Sequence, residues 1–386
     1  MNIKRDLLTI LACSMSLHLL AQEKFPFRDP QLPVEQRVED LVSRLTLEEK
    51  VGQLFIIRPD SLDLTLPQEQ IDDAKADGVT ELTDAMRDAL QKYPVGGVCQ
   101  FGKNIVDPEQ ITAFNAALQE ASDVPLFISV DEEGGAVARL ANKDTFDLPR
   151  YESAAAVGAE GADAACAMGQ TIGSYLRTYG FNMDFAPDAD VNTNPDNPII
   201  GTRAFSSDAA EAADCAAAMA RGLAGEGILP TFKHFPGHGD TAEDSHTGLA
   251  YSYRTVGELA ACELLPFEAA AEVGPHAVMV GHIVVPELTG DLPATLCAEA
   301  IALVPDAENT LIVTDSLAMG AITDSYTPGE AAVQALQAGC DVLLMPDGLA
   351  DAYDAVLAAV QNGTLSEDRL DLSVNKILRM KAQFCA

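Results

Sequence analysis

Eight short apolar runs, most of them followed by an alanine-rich segment of helical period, constrain this chain more than any single residue. They fall at residues 53–57, 97–101, 126–130, 182–186, 229–234, 277–282, 310–314 and 341–345. Each is too short for a helix and apolar on both faces, the pattern of strands buried in a parallel sheet. Between them lie segments such as 154–179 and 209–225, rich in alanine and helical in period. Strand then helix, repeated eight times, predicts an α/β fold closed as a single-domain (β/α)8 TIM-type barrel. An open doubly wound sheet shares the alternation, but no strand–helix turn here carries the G-x-G-x-x-G phosphate fingerprint. No internal repeat or break in composition marks a second domain, so residues 23–386 are expected to form one barrel domain.

Ahead of the first strand, Val34, Val38, Leu41, Val42 and Leu45 recur at helical spacing. Thr46 followed three residues later by Glu49 then reads as a capping box opening a second helix. Residues 60–93 form an acidic excursion after the first strand, expected to lie on the surface with one or two helices.

With 24 basic and 59 acidic residues the net charge is −35. Such a surface repels nucleic acid and anionic membrane alike, so neither is expected as a partner. Eight cysteines are scattered through apolar segments with no metal-binding spacing, and they read as small buried side chains. At the N-terminus Lys4 and Arg5 precede an apolar run from Leu7 to Leu20, with Ala21 as a possible cleavage residue. That is the layout of a secretory signal peptide over residues 1–22 and predicts export to the periplasm or medium; an uncleaved N-terminus would leave the protein cytoplasmic. No other segment is long and apolar enough to span a bilayer.

The chemistry gathers where the predicted strands end. Residues 233–246 read KHFPGHGDTAEDSH and hold three of the six histidines. Pro236, Gly237 and Gly239 exclude regular structure, so this is a loop beyond strand five. Asp244 lies two residues from His246, close enough for its carboxylate to accept a hydrogen bond from the imidazole and favour the charged ring. His246 is thus a candidate proton donor and acceptor oriented by Asp244. Strand three runs into Asp131-Glu132-Glu133, with Arg139 close behind; strand four leads to Asp188 and then Arg203; strand seven ends at Asp315-Ser316. In a barrel, all of these converge on one mouth.

The segments KHFPGHGDTAEDSH, VDEEGGAVARL, FNMDFAPDADVN, NPIIGTRAF and LIVTDSLAMGAI together resemble glycoside hydrolase family 3, over about residues 25 to 385. The resemblance is narrowest to that family's single-domain bacterial β-N-acetylglucosaminidases (β-hexosaminidases). The opening stretch FPFRDPQLPVEQRVEDLVSRLTLEEKVGQLF is more similar to the start of its longer β-glucosidases. The resemblance implies a retaining hydrolase with no cofactor and no metal, acting on oligosaccharides or muropeptides that end in N-acetylglucosamine, with peptidoglycan turnover as one setting. By the same matching Asp315 is the nucleophile and His246 the acid/base with Asp244 as its dyad partner. Asp131, Arg139, Arg203, Lys233 and His234 would then grip the sugar hydroxyls and the N-acetyl group.

Several alternatives stand beside this reading. Asp131-Glu132 is compatible with a substrate-assisted mechanism in which the acetamide attacks. The family also contains β-glucosidases and phosphorylases. From another class, a metal-dependent barrel hydrolase would use His234, His238, Asp244, His246 and His282 as ligands, although Pro236 and Gly237 remove the helical face that such spacing serves. A sugar-binding protein without catalysis is the non-enzymatic option. His276 reads as a plain loop or core histidine, and His282 as either packing below the mouth or lining the site. Oligomeric state is not legible in the sequence.

Overall fold

The computed structural model describes residues 27, 29, 31–242 and 248–385. Eight parallel strands form the sheet: β1 Phe55–Ile57, β2 Gly97–Cys99, β3 Phe127–Val130, β4 Met183–Asp184, β5 Leu229–Phe235, β6 Ala277–Val280, β7 Leu311–Thr314 and β8 Leu343–Leu344. Every strand pairs with its neighbours in sequence, in the order β7-β6-β5-β4-β3-β2-β1-β8. A parallel bridge between Val313 and Val342 joins the two edges and closes the barrel. The Thr314 amide donates to the Val342 carbonyl at 3.0 Å and the Leu317 amide to that of Leu344 at 2.9 Å across this seam. All strand residues are buried, because the interior covers one face and the helices cover the other.

The N-terminal helices α1 (Val34–Val42) and α2 (Leu47–Gln53) form as their patterns require. Thr46 Oγ1 accepts from the Glu49 amide, and Glu49 accepts from the Thr46 amide at 2.8 Å, completing the capping box. The main helices of the outer ring follow as α3 (Asp84–Lys92), α4 (Pro108–Ala121), α5 (Ala162–Thr178), α6 (Ala209–Gly225), α7 (Val256–Ala261), α8 (Leu265–Ala270), α9 (Pro328–Ala338), α10 (Leu349–Gln361) and α11 (Glu367–Phe384). The alanines of α5 and α6 serve close approach of the two helices. At Gly169 an added Cβ would lie 2.1 Å from the Met219 carbonyl oxygen, so only glycine fits there.

The excursion after β1 is less superficial than its acidic composition predicts. Asp60 is buried and accepts from the Val79 amide at 3.1 Å and from Asn104 Nδ2 at 2.8 Å, which ties the segment to the barrel rim. At the opposite end of the barrel α11 packs on α1 and α2, and its Lys381 ammonium donates to Gln53 Oε1 at 2.6 Å. Among the described residues no helix is long and apolar enough to cross a membrane. The proposed leader, residues 1–22, lies outside the described residues.

Candidate active site

At the carboxyl ends of the strands a cavity of about 220 Å³ opens, lined among others by Asp131, Arg139, Arg203, Lys233, His234 and Asp315. Its volume is below the several hundred Å³ typical of drug-sized pockets, a scale suited to one sugar ring. The strands set its floor. Asp131 follows β3, Lys233 and His234 close β5, and Asp315 follows β7 with its amide bonded to the Val280 carbonyl at 2.9 Å. Arg139 reaches the cavity because the chain turns back immediately after β3. Residues Glu132–Gly134 and Val137–Ala138 pair antiparallel with an irregular register, which returns Arg139 to Asp131. Arg203 comes from a single 3₁₀ turn, Gly201–Arg203.

These side chains form one chain of ion pairs. Lys233 Nζ donates to Asp131 Oδ1 at 2.9 Å and contacts Glu133 Oε1 at 2.6 Å. Arg203 binds Glu133 through both oxygens, Nε at 2.9 Å and Nη2 at 2.8 Å. Arg139 Nη2 donates to Asp131 Oδ2 at 3.2 Å. Burial by itself pushes the Asp131 carboxyl up, but Lys233 and then Arg139 outweigh it and hold it well below the usual carboxylate range. Glu133 follows the same pattern, with Arg203 and Lys233 overcoming its burial. Lys233 is likewise depressed by burial and raised on balance by its two carboxylates, so it stays charged at every physiological pH.

A second buried tier supports the first. His234 Nδ1 meets Asp190 Oδ2 at 2.8 Å, and Asp190 Oδ1 accepts from the His238 amide at 2.5 Å. His238 is held down by burial and by its neighbour His234, and Thr241 Oγ1 lies 2.6 Å from its Nδ1. Asp188 lies 3.5 Å from the Arg203 guanidinium, yet burial and the neighbouring Asp190 push its carboxyl well above the usual range. Donor atoms of Asp188, Asp190 and His234 fall within 4.8 Å of one another, a spacing that a cation could bridge. One of those imidazole nitrogens is already spent on Asp190, and a cation beside Asp188 would sit against the Arg203 charge. His282, another ligand of the metal reading, is fully buried below the mouth, with Thr295 Oγ1 and the Ser316 carbonyl oxygen each 2.8 Å from its ring nitrogens.

Residues 46–380 match the glycosyl hydrolase family 3 N terminal domain, most of the chain. The chain belongs to glycosyl hydrolase family 3. It is 33% identical over 332 residues to beta-hexosaminidase LpqI of Mycobacterium tuberculosis, covering 82% of this chain and 83% of that one. It is 31% identical over 335 residues to beta-hexosaminidase A of Pseudoalteromonas piscicida, covering 79% of this chain and 56% of that protein. Among solved structures, a family 3 beta-N-acetylglucosaminidase from Paenibacillus sp. superposes with a TM-score of 0.79 at 38% identity, over 88% of this chain and 62% of the other. This family 3 chain therefore spans little more than half the length of some relatives and most of the length of others.

Six residues singled out in the sequence, Asp131, Arg139, Arg203, Lys233, His234 and Asp315, surround the family 3 cavity together. Asp244 and His246 lie outside the described residues. Glu132 does not join its neighbour Asp131 at the cavity; Glu133 lines it beside Asp131 instead. The Glu132 oxygens accept from the Leu140 and Ala141 amides at 2.8 and 2.9 Å and from the Tyr175 hydroxyl at 2.8 Å, and the side chain is fully buried. His276 is also buried, packing edge-on against Phe232 near the start of β6. Glu133 and Asp190 carry part of the site without having been given a role from the sequence, and His238, singled out there only as a metal ligand, instead donates its amide to Asp190. A carboxylate or imidazole three to six residues past a strand end was the signal, but it does not say which of several neighbours turns inward.

Proposed function

We propose that this chain is a retaining exo-β-N-acetylglucosaminidase, removing terminal β-linked N-acetylglucosamine. The observation that carries the reading is the Asp315 carboxylate on the wall of a one-ring cavity whose other groups are fixed ion-paired donors and acceptors. Asp131, already charged and held by Lys233 and Arg139, accepts from sugar hydroxyls. Arg139, Arg203 and Lys233 present N–H donors whose directions are set by carboxylates, and His234, oriented by Asp190, completes the grip.

In the proposed cycle Asp315 attacks the anomeric carbon as the bond to the leaving oxygen breaks, and His246, protonated, gives that oxygen its proton. The product is a glycosyl ester on Asp315. His246, now neutral, takes a proton from water, the hydroxide attacks the anomeric carbon, and Asp315 is released. Asp244 favours the charged form of His246. The beta-hexosaminidase names of the relatives and the acetylglucosaminidase of known structure support the choice of N-acetylglucosamine. The substrates so defined are oligosaccharides or muropeptides ending in that sugar, and the charged-then-apolar N-terminus supports export to where such glycans lie.

The test is turnover of an aryl N-acetyl-β-glucosaminide beside the matching aryl β-glucoside, each after chelator treatment. A strong, chelator-resistant preference for the N-acetyl sugar is expected. Preference for the glucoside would move the assignment to the glucosidases of the family, and loss of activity with chelator would bring back the metal reading. Asp315→Ala should cost at least about 10³-fold in kcat, the order expected when a covalent nucleophile is removed.

A further inference from the structure

At the amino ends of β3 and β4, away from the mouth, a second cavity of about 510 Å³ opens between α1, α4, α5 and α11. Its volume falls in the range of small-molecule sites and exceeds that of the sugar cavity. The wall combines the apolar Phe27, Pro125 and Phe181 with three cationic side chains, Arg37, Arg177 and Lys381. None of the described residues lining it carries a carboxylate. In a chain with 59 acidic and 24 basic residues, that wall reverses the general balance of charge.

Two of these cations are buried without an anion. Arg37 is 4% exposed; its Nε donates to the Phe27 carbonyl at 2.6 Å and its Nη1 to the Ala382 carbonyl at 3.3 Å. Lys381 is fully buried, and its ammonium donates to Gln53 Oε1 at 2.6 Å. Among the described residues neither meets a carboxylate. The Ala382 carbonyl belongs to the last turn of α11, and a helix end offers only about half a negative charge. That is too little for two cations, and a buried charge left uncompensated is among the most costly features a fold can keep. The side-chain amides of the wall offer no relief, because Gln119 and Asn182 are bonded to the backbone of Leu126 and Ile128. Burial brings the Lys381 ammonium down to about 7, the response of a lysine that lacks an anion.

We propose that this cavity is a second ligand site, for a small organic anion. Arg37 and Lys381 receive its carboxylate, and Phe27, Pro125 and Phe181 receive its apolar body. Arg37 supplies a fixed charge. Lys381 supplies a charge that the ligand completes, since an anion beside the ammonium favours its protonated form. Binding above neutral pH therefore takes up a proton. The described residues of this cavity and of the sugar cavity do not overlap, so the inference stands apart from the hydrolase reading.

The probe is octanoate, titrated calorimetrically into the full chain in buffers of different ionisation enthalpy. At about pH 8, where Lys381 is mostly neutral, saturable binding with uptake of about one proton is expected. Lys381→Met should weaken binding by about tenfold or more and abolish the proton uptake. It strands no partner charge, so it stays informative if Arg37→Gln fails to fold. A folded Arg37→Gln should lose a similar factor and keep the uptake. Octanamide, the same body without the charge, should bind at least about tenfold more weakly than octanoate. No saturable binding of octanoate, or octanamide binding as tightly, would overturn the proposal. So would an affinity or a proton uptake that Lys381→Met leaves unchanged.

Discussion

At the residue scale the site is governed by one lysine. Lys233 is buried between the partly buried Asp131 and the buried Glu133, and together with Arg139 and Arg203 it lets both carboxylates stay ionised. Removing one partner of such a network strands the others, at a cost of about 3–5 kcal/mol. Lys233→Met is therefore expected to lose both activity and stability. The sign of its pH dependence follows from the carboxylates. Both have folded values below their unfolded ones, so their contribution is present above about pH 4 and is lost as pH falls through the folded values. In Lys233→Met that depression is weakened for both groups, Arg139 and Arg203 remaining, and the midpoint of acid unfolding should move to higher pH. A midpoint unchanged from the parent protein, followed by circular dichroism, would show that the pairing contributes nothing.

At the element scale two kinds of feature were legible to different degrees. All eight strands were readable because a barrel strand buried on both faces leaves a continuous apolar run, and because the polar residue after it marks the end. The helix start at Thr46 was equally readable, since a capping box is local chemistry. What escaped was decided by turns. Glu132 and Glu133 are adjacent in sequence, yet one is locked against Tyr175 and the other against Arg203, and the irregular two-stranded turn after β3 determines which faces the cavity. Likewise the acidic composition of residues 60–93 hid Asp60, whose buried hydrogen bonds depend on Asn104 and Val79 far along the chain. The α5–α6 contact supplies a prediction at this scale. Gly169→Leu would force the two helices apart where the Met219 carbonyl now lies, and a loss of about 1–3 kcal/mol or more is expected in denaturant unfolding. Unchanged stability would mean that the helices are not held at this distance.

At the scale of the whole molecule the barrel has two ends with different duties. The mouth holds the ion-paired cavity, while the far end buries Lys381 over the Phe127 ring, 5.2 Å from its centroid. Burial brings the Lys381 ammonium down to about 7, against an unfolded value near 10.4. The unfolded chain then binds more protons between those two values, so stability climbs as pH rises from about 7 to about 10 and the penalty is fully present below that window. Lys381→Met should raise Tm near pH 6 and show a shrinking advantage towards pH 10. A gain that does not change with pH would assign the effect to packing.

Asp315 lines the cavity at the strand ends, and covalent attack by that carboxylate on the sugar's anomeric carbon is the centre of the proposal. The most direct measurement is to incubate the protein with a 5-fluoro N-acetylglucosaminyl fluoride, which forms the glycosyl ester but releases it slowly, and to map the adduct by mass spectrometry of peptides. One sugar on the peptide containing Asp315, absent from Asp315→Ala, is the predicted result. Turnover of N-acetylglucosaminides with no adduct, or an adduct on another residue, would contradict it.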